Sequence, residues 1–178
     1  MITVLMATYQ GRQYLEQQLD TILAQTVPVK ILISDDGSDD GTREMLDNYA
    51  GWYPEQVVLH HRTEHTGGAA GNFFWLMQEA LKDEKNEYIL FSDQDDVWEN
   101  DKVSVMLHRM KVLEKGLGSA CPILLYSDME VVDEELYEIS PSFASYTHQD
   151  PDRSSFAELL VENQVTGGTS MINRALLK

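Results

Sequence analysis

Three clusters of oxygen-bearing side chains stand where apolar runs give way to polar residues: Ala7-Thr8-Tyr9, Asp35-Asp36-Gly37-Ser38 and Ser92-Asp93-Gln94-Asp95-Asp96. Asp93-x-Asp95 sets two carboxylates two residues apart. Hard oxygen ligands so spaced suit a divalent ion such as Mg²⁺ or Mn²⁺ that itself carries a diphosphate. Asp96 adds a third carboxylate, and with no cation among them the three would repel and raise one another's pKa. The bland alternative is a solvated acidic turn. Asp35-Asp36 has two readings as well. In one, Gly37 supplies the turn and Asp39 or Asp40 caps the next helix. In the other, one of the two aspartates accepts a hydrogen bond from a nucleobase imide N–H while Tyr9 stacks on the base. Such an acceptor selects uracil or thymine, whose N3 carries a proton.

Gly67-Gly68-Ala69-Ala70-Gly71-Asn72 precedes a helix. It either cradles a phosphate at the helix N-terminus or is a tight turn whose small residues pack under a sheet. It matches neither the Walker nor the dinucleotide fingerprint. His60 and His61 are adjacent on a strand and point to opposite faces, so with His65 they make a poor metal site. No Gly-x-Ser-x-Gly elbow supports covalent acyl chemistry. Met6, Met77, Met106 and Met110 read as core filler.

Short apolar runs alternate with helical spacing along most of the chain. Strands are predicted over 2–7, 29–34, 56–60, 88–91 and 123–126, and helices over 11–25, 42–49, 69–81 and 102–115. In the first helix Tyr14, Leu15, Leu19, Ile22 and Leu23 share one face. Strand–helix alternation implies right-handed crossovers and a mostly parallel sheet covered on both faces, a three-layer α/β/α arrangement. In such a sheet ligands bind outside the carboxyl ends of the strands, where all three polar clusters fall. After residue 128 the pattern weakens. An edge hairpin is expected over 129–137, a loop over 140–152, a short helix over 156–161, a strand over 165–172 containing Gly167-Gly168, and a new helix from Asn173.

The chain has 178 residues, 43% of them hydrophobic, enough for one domain over 1–178 with a core of its own. Lys and Arg total 13 against 30 Asp and Glu, a formal net charge of −17. That excludes a basic face for nucleic acid and opposes docking on anionic lipid. The one cysteine, Cys121, allows no intrachain disulfide. No apolar run approaches the ~20 residues that span a bilayer, and the first residues have no signal-peptide pattern. A cytoplasmic setting is expected. The helical pattern is cut off at Lys178, so a truncated piece of a longer protein is expected, with any association at the inner face of the cell membrane left to a missing C-terminal part.

Taken in order, these pieces resemble the N-terminal part of an inverting family 2 glycosyltransferase of the GT-A fold. The resemblance is carried by Ala7-Thr8-Tyr9, Ile22-Leu23-Ala24-Gln25-Thr26, Ile33-Ser34-Asp35-Asp36-Gly37-Ser38-Asp39-Asp40-Gly41-Thr42 and Asn72-Phe73. It continues through Phe91-Ser92-Asp93-Gln94-Asp95-Asp96-Val97-Trp98 with Lys102 after it, and Val165-Thr166-Gly167-Gly168. The last two are most similar to bacterial rhamnosyltransferases of surface-polysaccharide synthesis. The resemblance implies transfer of a sugar from a UDP- or dTDP-sugar donor to a saccharide or lipid-linked acceptor, dependent on Mn²⁺ or Mg²⁺. It implies that Ala7, Thr8 and Tyr9 line the nucleobase and ribose pocket and that Asp36 accepts from the base N3–H. Gly67 and Asn72 join the nucleotide site, Asp93 reaches the ribose or the metal shell, and Asp95 ligates the metal.

The sequence departs from the family pattern twice. Gly71 and Asn72 stand where members often carry an arginine that reaches the donor. The family's catalytic base lies on a loop beyond the Gly-Gly strand, after the point where this sequence ends, and neither Glu158 nor Glu162 stands in its place. A nucleotide-sugar-binding module without a catalytic base is therefore the alternative. A sugar-phosphate nucleotidyltransferase needs a Gly-rich loop with Arg and Lys after the first strand, and Ala7-Thr8-Tyr9-Gln10-Gly11-Arg12 has no lysine.

Overall fold

Strand β1 (Ile2–Thr8) is buried at nearly every position because both of its faces are covered. Val4 and Met6 point to one side, Leu5 to the other. In the computed structural model, which describes residues 1–62, 67–150 and 165–178, this alternation repeats along the central sheet. In β2 (Lys30–Asp35), Ile31 and Ile33 oppose Leu32; in β4 (Tyr88–Ser92), Leu90 opposes Ile89; in β8 (Ser170–Asn173), Met171 opposes Ile172. The period of two sorts these residues into two cores, one on each side of the sheet.

One core is closed by α1 (Leu15–Leu23), α2 (Thr42–Trp52) and α4 (Lys102–Leu117) through Leu15, Leu19, Ile22, Leu46, Val103 and Met110. The other is closed by α3 (Ala69–Leu81) and the terminal turn α6 (Arg174–Leu177) through Leu76, Ala80 and Leu177. The layers are therefore α/β/α. Met6, Met106 and Met110 are core residues, and Met77 is partly buried against the second core.

With β3 (Val57–His61) and β5 (Leu124–Tyr126), the sheet order is β3-β2-β1-β4-β8-β5. Strands β1 to β4 are mutually parallel, and β8 runs antiparallel between β4 and β5. The chain winds outward from β1 to β3 and then returns to the other side of β1 for β4. This reversal opens a crevice at the carboxyl ends of β1 and β4.

Several boundaries differ from the sequence expectation. Helix α1 starts at Leu15 rather than residue 11; Tyr14 N and Leu15 N close a turn on Gly11 O before it, and that turn is tied to the loop after β2 and the start of α2. Gln10 N donates to Ser38 Oγ, Gly11 N to Thr42 Oγ1 and Arg12 N to Asp40 Oδ2. The strand expected over 165–172 begins only at Ser170. Gly167–Thr169 forms a 3₁₀ turn, with the Thr169 and Ser170 hydroxyls bonded back to the Thr166 and Gly167 carbonyls. The expected edge hairpin is a separate two-stranded sheet of β6 (Val131–Val132) and β7 (Glu138–Ser140). The loop expected over 140–152 contains a one-turn helix, α5 (Phe143–Tyr146), capped by Ser142 Oγ accepting from Ser145 N. The helix expected over 156–161, with Glu158 and Glu162, and His65 lie outside the described residues. No helix among the described residues is long and apolar enough to cross a membrane.

Candidate functional site

The register of the parallel strands sets the three polar clusters side by side. Thr8 pairs with Asp35 and Met6 with Ser92, so the residues after β1, β2 and β4 emerge on one rim. A cleft of about 650 Å³ opens there. Every residue expected to meet a nucleotide or metal lines it: Ala7, Thr8 and Tyr9 from β1, Asp36 after β2, Gly67 and Asn72 at the start of α3, Asp93 and Asp95 after β4. Gln94, to which the sequence reading gave no role, lines it too.

The two adjacent aspartates have different surroundings. Asp35 has no exposed surface and sits beneath the rim. It accepts from Ser38 Oγ at 2.5 Å, Ser38 N at 3.1 Å, Gly37 N at 3.2 Å and Thr8 Oγ1 at 3.2 Å, and pairs with Arg43 Nε at 2.8 Å. Burial pushes its pKa up, but the Ser38 hydroxyl, Arg43 and the two backbone N–H groups outweigh burial and hold it below the ordinary value. Asp35 fixes the turn in which Gly37 takes a φ of 95°. Asp36, only 6% exposed, is the member of the pair that lines the cleft. Asp40 caps α2 by accepting from Thr42 N and Thr42 Oγ1.

Gln94 clasps the β1 loop from the β4 side. Its Oε1 accepts from Tyr9 N at 2.9 Å and its Nε2 donates to Tyr9 O at 3.0 Å. Gly11 leaves room for this clasp, since a Cβ there would lie 2.7 Å from Gln94 Cδ. Nothing in local sequence periodicity marks a contact spanning 85 positions. Gly67 and Gly68 have φ of 85° and 117°, conformations strained for any residue with a Cβ. Both are exposed at the cleft mouth, so they are not packed under the sheet. Asn72 is buried and donates from Nδ2 to Ser34 O at 2.9 Å, pinning the start of α3 to β2. Its Oδ1 has no protein partner among the described residues.

The acidic loop after β4 is partly desolvated. Burial raises the pKa of Asp93, and Asp95 raises it further; burial and then Asp93 do the same for Asp96. Lys102 opposes both shifts. Burial in turn pulls the Lys102 ammonium down to about 8 against the pull of Asp96 and Asp93. The donor set is hard oxygen throughout, which fits Mg²⁺ or Mn²⁺. It is also incomplete, since no group of three or more His, Cys, Asp or Glu among the described residues is placed to hold an ion unaided. The remaining positions would fall to ligand phosphate and water. His60 and His61 face apart, His60 against the Trp75 ring and His61 bonded to Asp47.

Residues 3–178 match the family model described as Glycosyl transferase family 2. The sequence is 39% identical over 99 residues to the dTDP-rhamnosyl transferase RfbG of Shigella flexneri, covering 55% of this chain and 34% of that protein. It is 31% identical to Bacillus subtilis TuaG, named for teichuronic acid biosynthesis, over 97% of this chain and 66% of the relative. The chain thus spans between about a third and two thirds of the length of these relatives. Among solved structures, S. aureus TarS 1–349 superposes with a TM-score of 0.59 at 17% identity, covering 99% of this chain and 48% of that one. That likeness places the α/β/α layers and their mostly parallel sheet with the GT-A architecture.

Proposed function

The chain belongs to glycosyltransferase family 2, and from that premise we propose that the rim cleft takes a nucleoside-diphosphate sugar whose sugar the protein transfers to a saccharide or lipid-linked acceptor. The observation that carries this reading is the convergence of three separate clusters on one cleft at the strand reversal. Ala7, Thr8 and Tyr9 wall the nucleobase and ribose end. Asp36 accepts from the N3–H of uracil or thymine, a ring N–H that adenine lacks. The exposed N-terminal turn of α3, entered through Gly67, turns its N–H groups toward the diphosphate.

Asp95, with Asp93 beside it, would hold Mg²⁺ or Mn²⁺, which when bound offsets the negative charge on the departing diphosphate. The chain's own residues orient the donor and fix the leaving group, and stabilisation of that charge is the main rate term. In a single displacement the acceptor hydroxyl gives its proton to a general base as its oxygen attacks the anomeric carbon, the bond to the diphosphate breaks with its electron pair leaving on the diphosphate, and the configuration inverts. The 39% identity to a dTDP-rhamnosyl transferase supports dTDP-rhamnose as donor.

Calorimetric titration of UDP, dTDP, GDP and ADP, with and without Mn²⁺, tests the donor site. We expect UDP or dTDP to bind at least ~10-fold more tightly than GDP or ADP, a difference of about 1.4 kcal/mol, and to need the metal for tight binding. Asp95→Ala removes that metal requirement together with the affinity it confers. A purine preference, or metal-independent binding of all four nucleotides, would sink the assignment.

A further inference from the structure

Lys102 opens α4, a position from which a lysine ordinarily reaches into solvent. Here the ammonium turns back under the loop that follows β4. It donates to the Gly168 carbonyl at 2.7 Å and lies 4.0 Å from the centre of the Trp98 ring. Asp96 and Asp93 are its charge partners. On the far side, Gly168 meets the same carboxylates, since a Cβ there would lie 2.5 Å from Asp96 Oδ2 and 3.4 Å from Asp93 Oδ2. One ammonium, one carbonyl and two carboxylates therefore join the loop after β4 to the turn before β8, across 66 positions of sequence. Asp93 and Asp95 line the cleft, whereas Lys102, Asp96 and Gly168 are not among its lining residues.

We propose that Lys102 is a positioning residue that latches the Gly167–Thr169 turn onto the acidic loop and thereby holds Asp93 and Asp95 in the orientation needed for a divalent ion on a nucleoside diphosphate. The inference rests on the donor-site reading above. Lys102 hydrogen-bonds the Gly168 carbonyl while its charge acts on Asp96 and Asp93, so one ammonium bears on the carbonyl and on both carboxylates. Without it, Asp93 and Asp96 are two partly buried like charges with no cation between them, and repulsion drives them apart. The Gly168 carbonyl loses its partner at the same time. Because Gly168 has no Cβ, Asp96 can approach closely enough to share the latch.

The test uses the full chain. UDP or dTDP, whichever the wild type binds more tightly, is titrated at a series of Mn²⁺ concentrations with wild type, Lys102→Met and Lys102→Arg. Melting temperatures are recorded for Lys102→Met, Asp96→Asn and the double variant. We expect Lys102→Met to raise the Mn²⁺ concentration for half-maximal nucleotide binding at least tenfold and Lys102→Arg to restore it to within threefold. We also expect the double variant to lose less melting temperature than the two single losses combined. A lowered melting temperature with an unchanged Mn²⁺ half-point would reduce Lys102 to a structural prop and overturn the proposal. A weaker affinity at saturating Mn²⁺ with the half-point unmoved would make Lys102 a direct phosphate contact, and overturns it too. If the wild type binds neither nucleotide, the donor-site reading fails. The melting cycle then decides the latch alone: additive losses refute it, and non-additive losses uphold the Lys102–Asp96 coupling.

Discussion

Neighbouring carboxylates with the same side chain do opposite work on this rim, and the difference comes from burial and partners rather than residue type. Asp35 is enclosed and satisfied by Ser38, Gly37, Thr8 and Arg43, whereas Asp36 lines the cleft. Asp35→Asn should therefore cost stability, about 2–3 kcal/mol, because it leaves Arg43 unpaired and weakens several charge-assisted bonds. Arg43 is 40% exposed, which keeps the loss below that of a fully buried pair. The pH dependence has a definite sign. The folded pKa of Asp35 lies below its unfolded value of 3.8, so its stabilisation is present above that value and disappears as pH falls through the folded pKa. Asp35→Asn should accordingly flatten the acid limb of a melting-temperature profile below about pH 4. Asp36→Asn should cost less melting temperature than Asp35→Asn and reduce the preference for UDP or dTDP about tenfold. Equal melting losses for the two variants would contradict this division.

Elements hold the rim in place through contacts that cross between them. The N-cap residue of α4, Asp101, makes no side-chain cap; Gln25, just after α1, supplies it. Gln25 Oε1 accepts from Val103 N at 3.0 Å, and its Nε2 donates to Glu99 O at 2.7 Å and Thr21 O at 3.1 Å. Gln25→Ala should cost about 1–2 kcal/mol, the loss of a cap plus a buried partner, seen as a fall of roughly 2–8 °C in melting temperature. Because α4 begins at Lys102, the same variant should also raise the Mn²⁺ half-point for nucleotide binding. An unchanged melting temperature would show that water replaces the glutamine.

This cross-element dependence explains what the sequence made legible. Helix α3 is readable to the residue because Leu76 and Ala80 recur on one face and no side chain among the described residues competes for its first turn. The start of α1 is not, because the turn ahead of it is anchored through Gln10, Gly11 and Arg12 to Ser38, Thr42 and Asp40, 28 to 31 positions away. Six of the eight expected cleft residues were legible as types at strand ends, since each of their clusters follows an apolar run; Gly67 and Asn72 were legible as a glycine-rich entry to a helix. Gln94 and Arg43 were not, because their partners are fixed only by the fold. The turn before β8 reads as strand by composition, while local hydroxyl bonds fold it as 3₁₀.

At the scale of the whole molecule, the charge of −17 and the acidic lining of the cleft set the sign of long-range electrostatics toward an anionic ligand. A metal-free nucleoside diphosphate approaches against repulsion. A divalent ion on the diphosphate cancels most of its charge and removes most of that barrier. Salt acts on the barrier through the Debye length, about 30 Å at 0.01 M and about 8 Å at 0.15 M. The association rate of metal-free UDP, measured by stopped-flow with a fluorescent UDP analogue, should therefore rise several-fold over that range of ionic strength, since steering fields change rates by about 10-fold or more. The rate in saturating Mn²⁺ should change much less. This sign is opposite to that of a protein whose basic face binds phosphate, where salt weakens binding. A metal-free rate that fell with salt would mean that a local cation dominates the field at the cleft mouth. Lys102 lies outside the cleft lining, and its bond to Gly168 and the opposing charges of Asp96 and Asp93 are the reason the repulsive sign should hold.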